Sequence, residues 1–377
     1  MTKALLPAPA APVPPKSDLI QRVARQHRVS PFGQFADMVR LNFGKPKLAF
    51  DEYYSQQLYD PALSRADKAM FVGARSNHVL NRRLNPEDRL TQATFIRDKV
   101  RYGELLRGRG LATPRAQAVV AATGGYDSIP ALRSAAQVAD FLRHDATFPT
   151  FGKPATGTRS IGSALLSHVE GDRIHLGNGT DYDIDAFAEE VFEDFADGFI
   201  FQDAVTQHPA LTAIAGPALG SVRIVTVNDG SGPQVLYALW KIPSPAAMSD
   251  NFWQAGSMLA ALDADTGTVL RVRRGSGPEA EDVTDHPVSG ATIPGTILPD
   301  WDAACALAVA GHAVYPEAGI FGWDMGLSAD GPTIVECNTN PFHQLYQLVH
   351  GRGILNAGLA PVFDRVAARR GALATAA

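Results

Sequence analysis

The sequence has little cysteine, no long apolar run and no excess of positive charge, and each lack excludes a class of protein. Its two cysteines, Cys305 and Cys337, can form neither a disulfide framework nor a metal cage, which indicates a reducing compartment. No stretch approaches the roughly 18 apolar residues of a membrane-spanning helix, and prolines interrupt the apolar residues near the start, which is untypical of a signal peptide. With 34 Lys and Arg against 39 Asp and Glu, the net charge is -5, which does not favour a nucleic-acid partner. We therefore expect a cytoplasmic protein that binds neither nucleic acid nor a membrane.

What is present is a chain of globular composition, long enough for one large domain or for two to three smaller ones. Of its 377 residues, 45% are hydrophobic and 19% are charged, which excludes a disordered polyelectrolyte. The proline-rich residues 1–16 are expected to be a disordered tail. Residues 17–90 show apolar residues at helical spacing, punctuated by Pro and Gly, and predict a mostly helical region.

From about residue 91 the pattern changes to mixed helices and strands. Residues 222–227 and 235–241 alternate around the turn sequence D-G-S-G-P and predict an antiparallel pair of strands. Residues 319–327 and 333–337 predict a second pair around A-D-G, after a helix over 301–314. With no fixed-period repeat, the pattern favours an α+β fold with much antiparallel sheet.

The most specific stretch is G-I-F-G-W-D-M-G-L-S-A-D-G-P-T-I-V-E-C-N-T-N-P at 319–341. Alternation along a strand puts Glu336 and Asn338 on one face, and a matching register would add Asp324 from the neighbouring strand. Two carboxylates and an amide oxygen form a hard oxygen site of the kind that holds Mg²⁺ on nucleotide phosphates. The alternative is an ordinary hairpin with exposed carboxylates. By the same alternation, Cys337 points into the core and is not a nucleophile.

Two lysines and a small-residue loop could contact phosphates. Lys153 ends a predicted strand and precedes a loop with Gly157, Ser160 and Gly162, whose backbone N–H groups could approach phosphate oxygens. The loop lacks the Gly-Lys-Ser/Thr ending of a Walker A motif, and a surface turn is the alternative. Lys99, near the start of a helix, could also reach a phosphate.

Further candidates follow the central strands. The strand at 199–201 leaves into Gln202, Asp203, Ala204 and Val205, where backbone groups could meet an adenine edge. On the predicted antiparallel pair, Arg223 and Lys241, together with the later Asn251, could face phosphates and a carboxylate. The alternative is two surface cations. The roles of the histidines near the predicted site remain open; they are His286, His343 and His350.

These pieces, in this order, resemble an ATP-grasp protein. The run E-C-N-T-N-P at 336–341 matches the E-x-N-x-x-P of that superfamily, with Asp324 at the usual distance before it. Lys153-Pro154 with S-I-G at 160–162 resembles D-alanine–D-alanine ligases, and the stretch around Arg223 resembles ribosomal-protein glutamate ligases. Segments over about 90–350, among them Q-H-P-A-L at 207–211 and G-W-D at 322–324, are most similar to the sugar-transfer-associated ATP-grasp family.

The resemblance implies a fold and a chemistry. Two α+β subdomains, over 91–200 and 201–365, would grip ATP between antiparallel sheets behind the helical N-terminal region. The enzyme would be an ADP-forming carboxylate–amine ligase that acts on small molecules through an acyl phosphate, with a homodimer suggested by related ligases. One or two Mg²⁺ ions would bind Asp324, Glu336 and Asn338. ATP would contact a larger set, namely Lys99, Lys153, Gly157, Ser160, Gly162, Gln202, Asp203, Val205 and His208. Arg223, Lys241 and Asn251 would act on the reacting groups.

The sequence also departs from the family pattern. Thr158 and Arg159 occupy loop positions where flexible small residues are common in the family, and Gln202-Asp203 stands where two acidic residues are usual. His208 lies near the position at which many members have a ribose-binding carboxylate. Gly322 replaces an arginine that many D-alanine ligases carry, and Arg223 is the expected substitute. Two alternatives therefore stay open: an enzyme that phosphorylates or modifies a glycan, and a nucleotide-binding regulator without turnover.

Overall fold

A computed structural model of the chain describes residues 3–7, 17–85, 90–157, 160–245, 247–250 and 255–376. Among these residues, seven helices precede the first strand: five lie in the N-terminal region and two lead from it into the first sheet. The local sequence favours the start of the helix over Pro31–Phe43. Ser30 accepts a hydrogen bond from the Gly33 N–H, and Pro31 occupies the first turn. The helices are α1 Ser17–His27, α2 Pro31–Phe43, α3 Phe50–Ser55, α4 Arg65–Ala69, α5 Ala74–Leu84, α6 Leu90–Arg97, α7 Lys99–Gly108, α8 Ala135–His144, α9 Ile184–Phe195, α10 Pro209–Ala215, α11 Trp301–Ala313, α12 Gln344–His350 and α13 Ala360–Ala376.

The strands form two seven-stranded sheets. They are β1 Ala116–Val120, β2 Ala131–Leu132, β3 Thr150–Pro154, β4 Ala164–Glu170, β5 Arg173–Leu176, β6 Asp181–Asp183, β7 Phe199–Asp203, β8 Val222–Asn228, β9 Pro233–Ile242, β10 Met258–Leu262, β11 Val269–Arg274, β12 Glu281–Asp282, β13 Ile320–Ser328 and β14 Gly331–Asn338.

The first sheet has the order β2-β1-β7-β3-β4-β5-β6 and is antiparallel except between β1 and β2. Its apolar face packs against α8 and α9 around Phe187, Phe199 and Phe201. On its other face, Val100 of α7 packs with Val119 and Ile200. The sheet is therefore covered by helices on one face and partly on the other.

The second sheet has the order β12-β11-β10-β9-β8-β13-β14 and is antiparallel throughout. One face packs on α11 through Trp240, Trp323 and Ala308. On the opposite face an apolar cluster that includes Tyr346 and Phe363 joins the sheet to α5, α12 and α13. Helix α5 thus links the N-terminal helical region to this sheet.

The α+β prediction and the helical N-terminal region are confirmed. The first sheet includes β7, so its chain runs to Asp203 rather than to the expected boundary at residue 200. Within the described parts of the chain, no helix is both long and apolar enough to cross a membrane.

The expected disordered tail over 1–16 is wrong for residues 3–7. The Leu6 N–H donates to the Ser163 oxygen at 3.1 Å, and the Leu6 oxygen accepts from the Gly162 N–H at 2.8 Å. The backbone N–H groups of Ala4 and Leu5 donate to the Glu190 carboxylate of α9. Because Ala4 and Leu5 are also buried in the α8–α9 core, this segment gains apolar contacts that its proline-rich context did not indicate. The rest of that predicted tail lies outside the described residues.

Candidate functional site

Three charged side chains form a row across adjacent strands of the second sheet. Asp324 of β13 lies opposite Arg223 of β8 on one side and opposite Glu336 of β14 on the other. Alternation turns Trp323 and Cys337 into the core beneath α11. The charged row is therefore on the other face, in the register that the predicted metal site requires.

The carboxylate of Asp324 is held by two cations. Arg223 donates two hydrogen bonds to it, from Nε to Oδ1 at 2.7 Å and from Nη2 to Oδ2 at 2.9 Å. Lys241 Nζ is 3.2 Å from the same Oδ1 and 2.7 Å from Oδ2 of Asp250. Arg223 and Lys241 are each only 8% exposed, so they are not the surface cations of the alternative interpretation.

This pairing decides the charge of Asp324. Burial alone would raise its pKa, but the charges of Arg223 and Lys241 outweigh that effect and hold the pKa below its ordinary value. For Lys241, burial would lower the pKa, and the nearby carboxylates of Asp250 and Asp324 instead raise it. All three groups are therefore charged at neutral pH.

The other two predicted metal ligands lie beside Asp324. Asn338 Nδ2 is 3.4 Å from Asp324 Oδ2, so a rotation of its amide would present the oxygen to the same space. Glu336, about one third exposed, has Oε1 3.6 Å from Lys99 Nζ. Lys99 also donates to the Gly157 oxygen at 3.0 Å, which ties this helix start to the small-residue loop.

Lys153 enters the same space from the first sheet. It lies on β3 and is 8% exposed, which contradicts the alternative of a solvated surface turn. Burial, with repulsion from Lys99 as the next cause, lowers its pKa to about 8. An anion in this space would oppose both effects and stabilise the protonated form of Lys153.

A cavity of about 380 Å³ separates the two sheets at this point. Its charged lining residues are Lys99, Lys153, Asp250, Asp324 and Glu336. Its apolar lining comes from both sheets and their loops, and includes Phe151, Ile161, Leu165, Val205, Leu219, Met248 and Val335. One cavity thus offers both charged groups suited to phosphates and apolar groups suited to a planar base.

The structure brings most of the predicted binding residues to this cavity. Gly157, Ser160, Gln202 and Val205 line it, in addition to the lysines and carboxylates. Thr158 and Arg159 in the loop, and the predicted catalytic Asn251, lie outside the described residues.

Three predicted nucleotide contacts are placed differently. The side chain of Asp203 points to Arg115 and Gln117, with 2.8 Å between Asp203 Oδ1 and Gln117 Nε2. His208 Nδ1 accepts from the Ala210 N–H and caps α10. Gly162 pairs with Leu6 at the end of the loop. None of these three is among the described residues that line the cavity.

Two asparagines that the sequence analysis missed fix the segment after the metal-site strand. Asn81 Nδ2 donates to Asn340 Oδ1 at 2.7 Å and to the Pro341 oxygen at 2.9 Å. Asn77 Nδ2 donates to the same Pro341 oxygen at 3.1 Å. Both are buried and lie one turn apart on α5. Two asparagines at positions i and i+4 on one helix face are therefore the sequence pattern that could have indicated this contact.

The histidines near the site have structural contacts. His343 is buried between Tyr237 Oη and Asn81 Oδ1, and burial lowers its pKa to about 3. His350 packs against the Tyr346 ring, and burial lowers its pKa to about 4. His286 Nδ1 accepts from backbone N–H groups of its own turn. Cys337 is buried in the α11 core, and burial raises the pKa of its thiol.

Two largely antiparallel sheets with a charged cavity between them are the arrangement of an ATP-grasp fold. The chain belongs to the sugar-transfer associated ATP-grasp family, whose model matches residues 75–361, more than half of its length. A comparison with curated proteins found no match.

Solved structures of several ligases resemble the chain at low identity. VanG D-Ala:D-Ser ligase from Enterococcus faecalis has a TM-score of 0.44 at 14% identity, covering 73% of this chain and 62% of that one. D-alanine–D-alanine ligase from Bacillus anthracis has 0.40 at 14%, covering 74% and 70%. N5-carboxyaminoimidazole synthase from Aspergillus clavatus has 0.39 at 12%, covering 67% and 47%, so the chain spans about half of that length.

Proposed function

We propose that the chain is an ATP-dependent, ADP-forming ligase that joins the carboxylate of one small molecule to the amine of another. The observation that carries the proposal is one cavity that Asp324 and Glu336 line together with Lys99 and Lys153. Arg223 and Lys241 pair with Asp324, and Lys241 also pairs with Asp250, so these two carboxylates of the lining are neutralised. The two lysines of the lining then favour an anionic ligand.

The donor set fits ATP with Mg²⁺. Asp324, Glu336 and Asn338 offer the oxygen ligands that Mg²⁺ prefers, and Lys99 and Lys153 supply point charges for phosphates. When bound, Mg²⁺ would neutralise phosphate charge, which lets a substrate carboxylate approach the γ-phosphate. The small residues Gly157 and Ser160 allow backbone N–H groups to approach the same phosphates.

The protein's own groups would then position the reactants. The apolar lining formed by Phe151, Leu165 and Met248 would exclude water and so protect an acyl phosphate from hydrolysis. The Arg223 guanidinium has five N–H donors, and two of them are directed to Asp324. Its remaining donors can stabilise an oxyanion that forms when the amine attacks.

The test is ADP release with ATP and Mg²⁺ across amino acids and small carboxylic acids, offered singly and in pairs. We expect release that depends on a pair, with a product whose mass equals the sum of the two substrates minus water. Glu336→Ala should lose turnover and keep its fold, whereas Asp302→Asn, an exposed carboxylate on α11, should keep both. Wild-type turnover in folded Glu336→Ala would refute the assignment.

One observation favours a second function, a nucleotide-binding regulator without turnover. Asp324 is already satisfied by Arg223 and Lys241, so a metal ion must compete with two cations for its oxygens. A regulator would be stabilised by ATP with Mg²⁺ and would release no ADP with any substrate pair. The same panel therefore separates the two functions.

A further inference from the structure

A second group of ligand-type side chains lies in the first sheet, away from the charged row. His168 and Glu170 lie on β4, and His175 lies opposite His168 on β5. Next to it on β6, Asp181 lies opposite His175. Three consecutive strands thus bring two imidazoles and two carboxylates together.

The contact between Asp181 and His175 orients the imidazole. Asp181 Oδ1 is 2.6 Å from His175 Nδ1, so the carboxylate accepts a hydrogen bond from Nδ1–H, and Nε2 lies on the other side of the ring. That Nε2 is inaccessible to solvent and has no hydrogen-bond partner among the described residues. It points toward Glu170, whose Oε2 is 3.8 Å away. A carboxylate behind one imidazole nitrogen, with the other nitrogen unpartnered, is the arrangement that supports a metal-binding histidine.

The second imidazole lies beside the first. The rings of His168 and His175 lie parallel, with 4.1 Å between centroids and 4° between planes, so the exposed His168 ring must turn for both rings to direct a nitrogen lone pair to one ion. One ligand atom from each of His168, Glu170 and His175 lies within 4.8 Å of the others. Two imidazole nitrogens and one carboxylate oxygen suit Zn²⁺, which accepts three protein ligands and a water. They do not suit Mg²⁺, which prefers oxygen ligands.

We propose that His168, Glu170 and His175 bind one Zn²⁺, with Asp181 as the positioning residue for His175. Val169, Ile174 and Leu176 on the same strands pack into the α8–α9 core, so the three ligands lie on the opposite face of the sheet. The metal would join β4 to β5 at the outer part of the sheet.

The experiment is calorimetric titration of the chelator-treated full chain with zinc chloride, with magnesium chloride as the comparison. We expect one saturable Zn²⁺ site per chain that Mg²⁺ does not occupy. His168→Ala and His175→Ala should each weaken binding at least tenfold, and Asp181→Asn by about 10- to 100-fold. His144→Ala, an exposed histidine in the same subdomain, should bind as the wild type does. His168→Gln repeats the test with a side chain of similar size, and circular dichroism checks the fold of each variant.

X-ray absorption of the zinc-loaded chain should show two imidazole nitrogens. A wild-type chain with no saturable Zn²⁺ site would overturn the proposal. So would a folded His168→Ala or His175→Ala protein that binds like His144→Ala. If Glu336→Gln alone abolished binding, the zinc would belong to the cavity between the sheets, which would equally overturn it.

Discussion

At the scale of single residues, Asp324 and Glu336 should differ in what they contribute, although both belong to the predicted metal site. Asp324 neutralises the buried Arg223 and Lys241. Asp324→Asn leaves those cations without part of their counter-charge, and we expect a loss of about 3–5 kcal/mol in the free energy of unfolding. Glu336→Gln breaks a looser, partly exposed contact and should cost less than about 1 kcal/mol. Urea unfolding at pH 7 measures both.

The pH dependence of stability gives a second test of the Asp324 contribution. Because the pKa of Asp324 in the folded protein lies below its ordinary value of 3.8, its contribution is present above that value. It is lost only as the pH falls further, through the folded pKa. The difference between Asp324→Asn and the wild type should therefore persist at pH 5. Equal stability losses for the two variants would show that the Arg223–Asp324 pair does not carry the expected energy.

Lys153 gives a second residue-scale prediction. Its pKa is lowered to about 8 in the folded protein, against 10.5 ordinarily, so the unfolded chain binds more protons between those values. This group therefore makes the nucleotide-free protein more stable as the pH rises from about 8 to 10.5. Phosphates bind the protonated lysine, so ATP affinity should instead fall as the pH rises through about 8.

Calorimetric titration with ATP from pH 7 to 9.5 tests that dependence. Lys153→Gln should bind ATP at least tenfold more weakly at pH 7 and lose most of the pH dependence. Lys45→Gln, which removes an exposed lysine from the helical region, should keep both. A wild-type affinity that is flat across this range would mean that Lys153 does not hold phosphate.

At the scale of elements, α5 should control the site without touching its ligand. Asn81→Ala removes one of two donors from the Pro341 oxygen, which keeps Asn77, and leaves the buried His343 Nε2 without its partner Asn81 Oδ1. A buried polar group left unpaired costs about 1–3 kcal/mol. We expect a stability loss of that size and weaker Mg²⁺-dependent ATP binding, because the segment directly follows Asn338. His78→Ala, on the exposed side of the same helix, should change neither quantity. Thermal unfolding with and without ATP and Mg²⁺ measures both effects.

How far the sequence predicts this site depends on the range of the contacts. Strand alternation predicts that Glu336 and Asn338 share a face, and leaves open the register that would add Asp324. The structure supplies that register, with Asp324 opposite Glu336 around one short turn. The contact of Arg223 with Asp324 joins residues 101 positions apart, through the pairing of β8 with β13. Local patterns do not contain that strand order. For the same reason the sequence suggested Lys153 and Lys241 as candidates and left open whether they are buried.

The elements that were missed show a different limit. Residues 164–183 form three short strands in which β4 alternates imperfectly, with a bulge between Leu166 and His168. The bulge breaks the period of two that reveals a strand. The sequence pattern therefore does not predict that the histidines of the proposed zinc site share one face of the sheet.

At the scale of the whole molecule, the N-terminal segment 3–7 joins two separate parts of the first subdomain. Its backbone pairs with Gly162 and Ser163 at the end of the small-residue loop, and Glu190 of α9 accepts its N–H groups. Glu190→Gln weakens one attachment, and Leu5→Asp places a charge in the α8–α9 core, where Leu5 is buried. Either change should release segment 3–7, and the small-residue loop would then lose the backbone hydrogen bonds that hold Gly162 and Ser163 to Leu6.

We expect faster amide hydrogen exchange at residues 160–170 in both variants, with little change in the second sheet. If ordering the loop around ATP then costs about 1 kcal/mol more, the dissociation constant for ATP rises about fivefold. Glu189→Gln, the exposed neighbouring carboxylate on α9, should behave as the wild type. Unchanged exchange at 160–170 in Leu5→Asp would mean that the loop is held by the first sheet alone. Faster exchange with unchanged ATP affinity would instead mean that the segment stabilises the subdomain without contributing to the nucleotide site.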